Sequence, residues 1–414
     1  MVDFDNFNRD KCSHSIPLEV SRFMRHKIGL FLLAIAVVLS VVPASAVLSA
    51  TSIPAAFSEL LKIPTLSNPA MILIDKTTGG IVFERNSYSQ RKPASVMKIL
   101  TGVATLKYLD PQAEFTTNIS FGVEEKSLVI QGSFDPWISL NHTVARKMGR
   151  ESLPYLALNT LSTVREAYGG SLENVTVLYA GLYAQDVANF KSFWEKRGFK
   201  PTMKAISSNE ALLNSGGLIV GDISPKLYQI LDFMLLWSDN LLAERLGRLS
   251  SRSAGNAFND LGVGETFEEI LTDFEIDPSK LVVVDASGLS KENRITAHIM
   301  GQLLYKVRKD EKYDLLYSSL PVGGVSGTLR SRFLTTAPNA IGLVRAKTGT
   351  LNGTVTLAGF VESIDREYIF VTLADEIPRG TRASDRARAA IDRLLGRIAA
   401  PNIPAVISEA VPAP

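Results

Sequence analysis

Apolar residues change their pattern several times along this chain. Residues 28–42 form an apolar run free of charges and broken only by Ser40, preceded by Arg22, Arg25 and Lys27 and followed by Pro43 and the small residues Ala44, Ser45 and Ala46. Cations, an apolar run and then small residues have the shape of a secretory signal. The run is shorter than the ~20 residues of a membrane-spanning helix. Val47 and Leu48 extend it towards an anchor if it is not cleaved.

From Ala70 the pattern becomes globular. Residues 70–74 read as a buried strand, 76–80 (Lys-Thr-Thr-Gly-Gly) as a turn and 81–84 as a second strand, which together predict a hairpin. Residues 95–108 are apolar on nearly every side except at Ser95, Lys98, Thr101 and Lys107, which predicts a helix inside a core. Between 114 and 224 the chain mixes short strands (127–131, 175–179) with a helical stretch (153–168). Two helices follow, 226–237 and 241–249, joined at Ser238-Asp239-Asn240. Segments 343–350, 355–361 and 368–374 read as antiparallel strands. A closing helix over 384–398 sets Ala387, Ile391, Leu394, Leu395 and Ile398 on one face. The tail beyond 400 carries four prolines and little to order it. The resulting organisation is a signal or anchor at 1–46, a main domain from 47–113 and 225–399, an inserted subdomain at 114–224, and the tail at 400–414.

Composition narrows the function. With 414 residues, 46% apolar and 21% charged, the chain has enough apolar material for a sizeable core. Its formal charge of +2 and its lack of basic runs interleaved with aromatics argue against a nucleic-acid surface. Cys12 is the only cysteine, so neither a disulfide nor a thiolate metal site is expected. The four histidines, His14, His26, His142 and His298, show no His-Glu-x-x-His spacing, which argues against a zinc hydrolase. His298 reads as a packed helix residue.

Three motifs carry the chemistry, in this order: Ser95-Val96-Met97-Lys98, Ser238-Asp239-Asn240 and Lys347-Thr348-Gly349-Thr350. Residues three apart on a helix share a face, so the Lys98 amine can reach the Ser95 hydroxyl. Burial disfavours the ammonium form and leaves the amine basic enough to take the serine proton. Ser95 is therefore the candidate nucleophile, and the helix start behind it directs backbone N–H groups towards a developing oxyanion. Gly349, on a strand, lets a substrate backbone lie close to the sheet edge. Singly, Ser95 and Asn240 read as helix caps, Lys98 as a snorkelling lysine and Lys347 as a strand-edge charge. Ser89-Gln90-Arg91-Lys92 also fits Ser-x-x-Lys, but it is polar and runs into Pro93. Ser207-Ser208-Asn209 is a second Ser-x-Asn without a convincing helix pair around it. Ordered occurrence in the expected settings distinguishes the first set.

The three motifs match the serine acyl-enzyme signature, and the chain resembles the class C low-molecular-mass penicillin-binding proteins, the D-alanyl-D-alanine carboxypeptidase/endopeptidase family. Residues 128–136 (LVIQGSFDP), 285–290 (DASGLS) with Asn293, and 326–329 (SGTL) extend the resemblance over about 70–395. Only 143 positions separate Ser95 from Ser238, and the family usually carries a much longer insertion there. The resemblance implies an α/β (α+β) transpeptidase-like fold, with an antiparallel sheet flanked by helices, an all-helical subdomain and the active site between them. It further implies Ser238 as proton relay, Asn240 and Lys347 as substrate and network contacts, and Thr348 and Thr350 near the terminal carboxylate. The backbone N–H groups of Ser95 and Thr350 would make the oxyanion hole. Stem peptides of peptidoglycan and β-lactams are the implied partners, no metal or organic cofactor is required, and any membrane contact would come from the N-terminal anchor. Two other readings compete. A class A β-lactamase needs a glutamate in a Glu-x-x-Leu-Asn setting, and Glu265, Glu268 and Glu269 lack that context. A catalytically silent wall-binding relative is disfavoured by the intact Ser95, Lys98, Ser238, Asn240 and Lys347.

Overall fold

The computed structural model describes residues 47–401. The signal-like run, Cys12 and nearly all of the proline-containing tail lie outside the described residues. Ten strands are described: β1 (Ala70–Asp75), β2 (Ile81–Arg85), β3 (Thr116–Gly122), β4 (Ser127–Gly132), β5 (Thr176–Ala180), β6 (Thr202–Ala205), β7 (Ser215–Ile223), β8 (Val344–Leu351), β9 (Thr354–Ser363) and β10 (Arg366–Ala374). They form two five-stranded sheets, ordered β2-β1-β10-β9-β8 and β6-β5-β4-β3-β7.

The first sheet is antiparallel throughout. Successive side chains on a strand face opposite ways, and here both faces are covered. β1 sends Ala70, Ile72 and Ile74 into one core and Met71 and Leu73 into the other, and β10 divides Ile369, Val371 and Leu373 from Tyr368 and Phe370 in the same way. This double burial explains why 70–74 is apolar without alternation. On one side the sheet is covered by helix Thr381–Gly396, through Ala387, Ile391, Leu394 and Leu395, and by Ile53 and Phe57. On the other lies a helical layer around helix Lys98–Tyr108, whose first nine residues are all buried. Helices Leu227–Trp237, Asn240–Ala254 and Asp260–Asp273 pack around it. The mixed α+β architecture with an all-helical part is as expected.

Residues 116–223 build the second sheet. β4, β5 and β6 run parallel, while β3 is antiparallel to both β4 and β7. Parallel neighbours require crossover connections. Helix Leu153–Ala167 lies between β4 and β5, and helix Ala184–Glu195 between β5 and β6. Leu156, Leu161, Phe190 and Trp194 of these helices pack on Ile119, Ile130 and Val177, giving the insertion its own core. Sequence periodicity picks out β4, β5 and the first helix but not the sheet, because β6 is short and mostly exposed and β7 is broken by glycines and buries only Val220 fully. Ser207 caps the short helix Ser208–Asn214 through a capping box with Glu210, so the second Ser-x-Asn match is a helix start inside the insertion. The two chain crossings are tied together, Ser224 N–H donating to Phe115 O (2.9 Å) and Leu227 N–H to Ala113 O (2.8 Å).

Two buried ionic clusters lock these layers around the cleft. Arg245, on helix Asn240–Ala254, donates to Asp186 of the insertion (2.8 Å) and to Pro136 O (3.4 Å) and covers the Tyr183 ring at 4.4 Å. Asp392, on the last helix, accepts from Arg332 Nε (3.0 Å), the Thr336 hydroxyl (3.0 Å) and Phe333 N–H (3.4 Å). Removing one partner of such a buried pair leaves an uncompensated charge. Asp392→Ala is expected to cost about 3–5 kcal/mol of unfolding free energy, measured by denaturant melts. A loss below ~1 kcal/mol would show that the cluster does not anchor this helix.

Candidate active site

The turn that carries the candidate nucleophile, here called the nucleophile turn, departs from a plain helix start. Ser95 lies in a 3₁₀ turn, Ala94–Met97, that runs straight into helix Lys98–Tyr108, so the α-helix begins at Lys98 and not at Ser95. In a 3₁₀ turn side chains three apart nearly eclipse, which sets Lys98 beneath Ser95. Its Nζ donates to Ser95 Oγ at 3.1 Å. Ala94 takes left-handed backbone with φ +47°, unusual for a residue with a Cβ. The turn is held from the sheet, where the Thr356 hydroxyl donates to Pro93 O (2.8 Å).

Lys98 is completely buried, and its amine also donates to Asn240 Oδ1 (2.7 Å) and to Ser287 O (2.8 Å). Three acceptors use all three donors of an ammonium group. Burial pulls its pKa down to about 8, while Glu244, Asp239 and Asp285 oppose that shift. Asn240 is the first residue of its helix, and the Asp239 side chain caps that helix by accepting from Leu242 N–H (2.9 Å). Ser238 is the left-handed residue (φ +62°) between the two helices. Among the described residues its hydroxyl makes no hydrogen bond.

β8 supplies the opposite wall. Lys347 is fully buried and donates to Thr348 O (3.1 Å); burial first, then the Lys98 charge, hold it well below the ordinary lysine range. The Lys98 charge thus adds to burial in depressing Lys347, while Lys98 itself is braced by three carboxylates. Thr348 Oγ1 lies 2.8 Å from Thr328 Oγ1, within the 326–329 stretch. Thr350 is exposed and accepts from Arg388 Nη2 (3.2 Å). β8 is an edge strand, so the segment from Lys347 to Leu351 keeps one side free of strand partners.

The structure therefore joins Ser95, Lys98 and Asn240 by direct hydrogen bonds, couples Lys347 to Lys98 by charge, and sets Thr348 and Thr350 along the free edge. Gly349 is also required by the fold itself. A Cβ there would overlap the Thr356 hydroxyl and lie 3.0 Å from Ala94 Cβ and Pro93 O. Its missing side chain admits the 93–94 turn. The competing Ser89 sits in a turn outside this constellation, and the nearby Lys92 pairs with Asp375 at 3.9 Å.

Sequence reasoning missed Glu244 and Arg388. Glu244 follows Asn240 by four residues and shares its helix face, a spacing that was there to be read. Arg388 reaches Thr350 from a helix 38 positions away in sequence, which no local pattern signals. The Asp285–Asn293 stretch, noted only as a resemblance, is a self-bonded loop: Asp285 Oδ1 accepts from Gly288 N–H (2.6 Å) and Asn293 Nδ2 (3.1 Å). That loop presents the Ser287 carbonyl to Lys98.

Comparison with known proteins gives a consistent picture. A family model described as D-Ala-D-Ala carboxypeptidase 3 (S13) matches residues 54–151 and 165–398. The chain is 29% identical over 380 residues to the carboxypeptidase DacB of Mycolicibacterium smegmatis, covering 80% of this chain and 82% of that protein. Penicillin-binding protein 4 of Haemophilus influenzae shares the fold, with a TM-score of 0.63 and 18% identity over 82% of this chain and 97% of its own. A predatory endopeptidase of Bdellovibrio bacteriovorus superposes with a TM-score of 0.53 at 17% identity, covering 81% of this chain and 94% of its own.

The close approach of β8 to the 93–94 turn is open to direct test. Gly349→Ala is expected to cost about 1–3 kcal/mol, as overpacking usually does, and to slow covalent labelling by penicillin about tenfold or more. Thermal melts and labelling rates measure the two effects. Unchanged labelling would mean that the turn tolerates displacement.

Proposed function

This chain belongs to the D-Ala-D-Ala carboxypeptidase 3 (S13) family, and from that premise we propose that Ser95 is the nucleophile and Lys98 the base of a serine D-alanyl-D-alanine carboxypeptidase. The observation that carries the assignment is the buried Lys98 amine bonded at once to Ser95 Oγ and Asn240 Oδ1. Its low pKa supports the role, because a base must be neutral part of the time to accept a proton.

In this reading an extended stem peptide lies along the free edge of β8, as peptides do on exposed sheet edges. Ser95 Oγ attacks the penultimate D-Ala carbonyl carbon while its proton passes to Lys98. The C–N bond breaks, terminal D-Ala leaves after its nitrogen is protonated through Ser238, and water hydrolyses the Ser95 ester. The backbone N–H groups of Ser95 and Thr350 hold the oxyanion. Asn240 and Lys347 orient the peptide, and Thr348 and Thr350 receive its terminal carboxylate. β-Lactams acylate the same serine. The penicillin-binding protein 4 of H. influenzae has been solved with a β-lactam. The N-terminal run of cations, apolar residues and small residues supports export, with the enzyme acting on peptidoglycan outside the cytoplasm.

A β-lactamase reading gains nothing here. Glu265, Glu268 and Glu269 are exposed on helix Asp260–Asp273, with Glu269 bonded to Asn256 (3.2 Å). The acyl-enzyme formed with penicillin should therefore persist, and purified protein should not turn over nitrocefin at an enzymatic rate.

Digestion of purified muropeptides, followed by mass analysis, should show loss of terminal D-Ala. Product loss only at cross-links would make the enzyme an endopeptidase, and intact substrates alongside nitrocefin turnover would overturn the assignment. Ser95→Ala should abolish both labelling and cleavage in a folded protein, whereas Ser89→Ala should change neither.

The pH dependence follows from Lys98. Below about 8 the amine is protonated and cannot accept the Ser95 proton, so pre-steady-state acylation should rise with pH through about 8. Lys98→Arg keeps the charge but cannot release a proton, and should slow acylation by about 10²–10⁴. A variant within a few-fold of wild type at every pH would move the base to another group.

A further inference from the structure

The loop that carries the Ser287 carbonyl is held by a side chain to which no role has yet been given. Glu244 sits one turn after Asn240 and is mostly buried. Its two carboxylate oxygens accept the consecutive backbone N–H groups of Ala286 (3.2 Å) and Ser287 (2.9 Å). The Ser287 carbonyl then accepts from Lys98 Nζ (2.8 Å). Burial, joined by the Asp285 charge, raises the Glu244 pKa, while the Ser287 and Ala286 hydrogen bonds pull it back down by favouring the anion, and bonds to a carboxylate anion are stronger than neutral ones. One helix therefore reaches the base twice: directly through Asn240, and through Glu244 by way of the loop. Thr101 secures the same loop without charge, donating to Ala286 O (2.6 Å).

Resting on the Ser95–Lys98 reading above, we propose that Glu244 is a positioning residue, which clamps the 286–287 backbone so that the Ser287 carbonyl aims Lys98 Nζ at Ser95, and which brings a carboxylate charge to the loop that holds that amine. The geometry favours this over simple loop packing. A packing role needs neither two consecutive amides nor a carboxylate on the loop whose carbonyl takes a buried amine.

The charged groups around Lys98 are few. Glu244 and the cap Asp239 belong to the helix beginning at Asn240, Asp285 to the loop, and Lys347 to β8. The three carboxylates favour the ammonium form against the cost of burial. Removing the Glu244 charge therefore destabilises the Lys98 ammonium and lowers the pH at which the base turns on. Loss of the clamp slows the reaction, while loss of the charge moves its profile. A purely structural residue would do only the first.

The test is pre-steady-state acylation by penicillin across pH, with Ser95 labelling of wild type measured first so that the underlying reading stands or falls by itself. Glu244→Gln nearly preserves shape. It is expected to slow plateau acylation about tenfold or more and to move the acid limb down by about one pH unit, the order expected for loss of a nearby opposite charge. Glu244→Asp keeps the charge but is one methylene too short to hold both amides. It should slow acylation with its acid limb close to that of wild type. Thr101→Val loosens the loop without altering charge and should also slow acylation, with the limb in place. A Glu244→Gln enzyme whose acid limb stays at the wild-type pH, whatever its rate, would overturn the proposal. A Thr101→Val enzyme whose limb moves as far as that of Glu244→Gln would overturn it as well. Should Glu244→Gln fail to fold, Glu244→Asp decides, and wild-type acylation by that variant would overturn the clamp.

Discussion

An amine kept out of water gives up its proton more readily, and the site is arranged around keeping the Lys98 amine dry. Desolvation lowers its pKa, and the three acceptors Ser95, Asn240 and Ser287 replace the water it has given up. An unpaired buried charge would cost several kcal/mol, so each acceptor must be delivered to within hydrogen-bond distance. They come from three segments far apart in sequence: the nucleophile turn, the start of helix Asn240–Ala254 and the 285–288 loop. Much of the surrounding fold can be understood as the means of bringing them together.

Close backbone approaches do part of that work. At Gly288 (φ +80°) a Cβ would overlap the Ala94 carbonyl, and at Gly349 it would strike Thr356 and the 93–94 turn. Only a residue without a side chain lets the loop and the sheet close on the nucleophile turn from two sides. Gly327 (φ +52°) plays a similar part where the 326–329 stretch meets the Leu236 backbone, bringing Thr328 to Thr348.

The insertion contributes more than bulk. Arg245, five residues beyond the helix start, is fixed by Asp186, Pro136 and Tyr183, all from the insertion. The helix that delivers Asn240 and Glu244 is thus braced at its middle by the second sheet. A buried ion pair is weak grounds for stability, but its geometric demands suit it to setting the position of a helix. On the far side, Arg332 donates both to Asp392 and to Arg388 O (3.2 Å), which fixes the helix from which Arg388 reaches Thr350.

Local patterns alone determined much of this protein. The continuous apolar run at 70–74, the all-round apolar helix behind Ser95, the helix pair hinged at Ser238 and the three closing strands were legible because periodicity and propensity are local properties. Ser95, Lys98 and Asn240 were legible because three spacings recur in order. Tertiary structure decided what no local pattern encodes. It turned the segment before Lys98 into a 3₁₀ turn, gave Gly349 the task of admitting that turn, and let three carboxylates brace Lys98 so that Lys347 carries the larger burden of burial. Weakly amphipathic strands such as β6 and β7 became visible only once β3 and β5 paired with them. The Ser287 carbonyl was hidden for the plainest reason: every residue has one, and only the fold chooses which carbonyl meets a buried lysine.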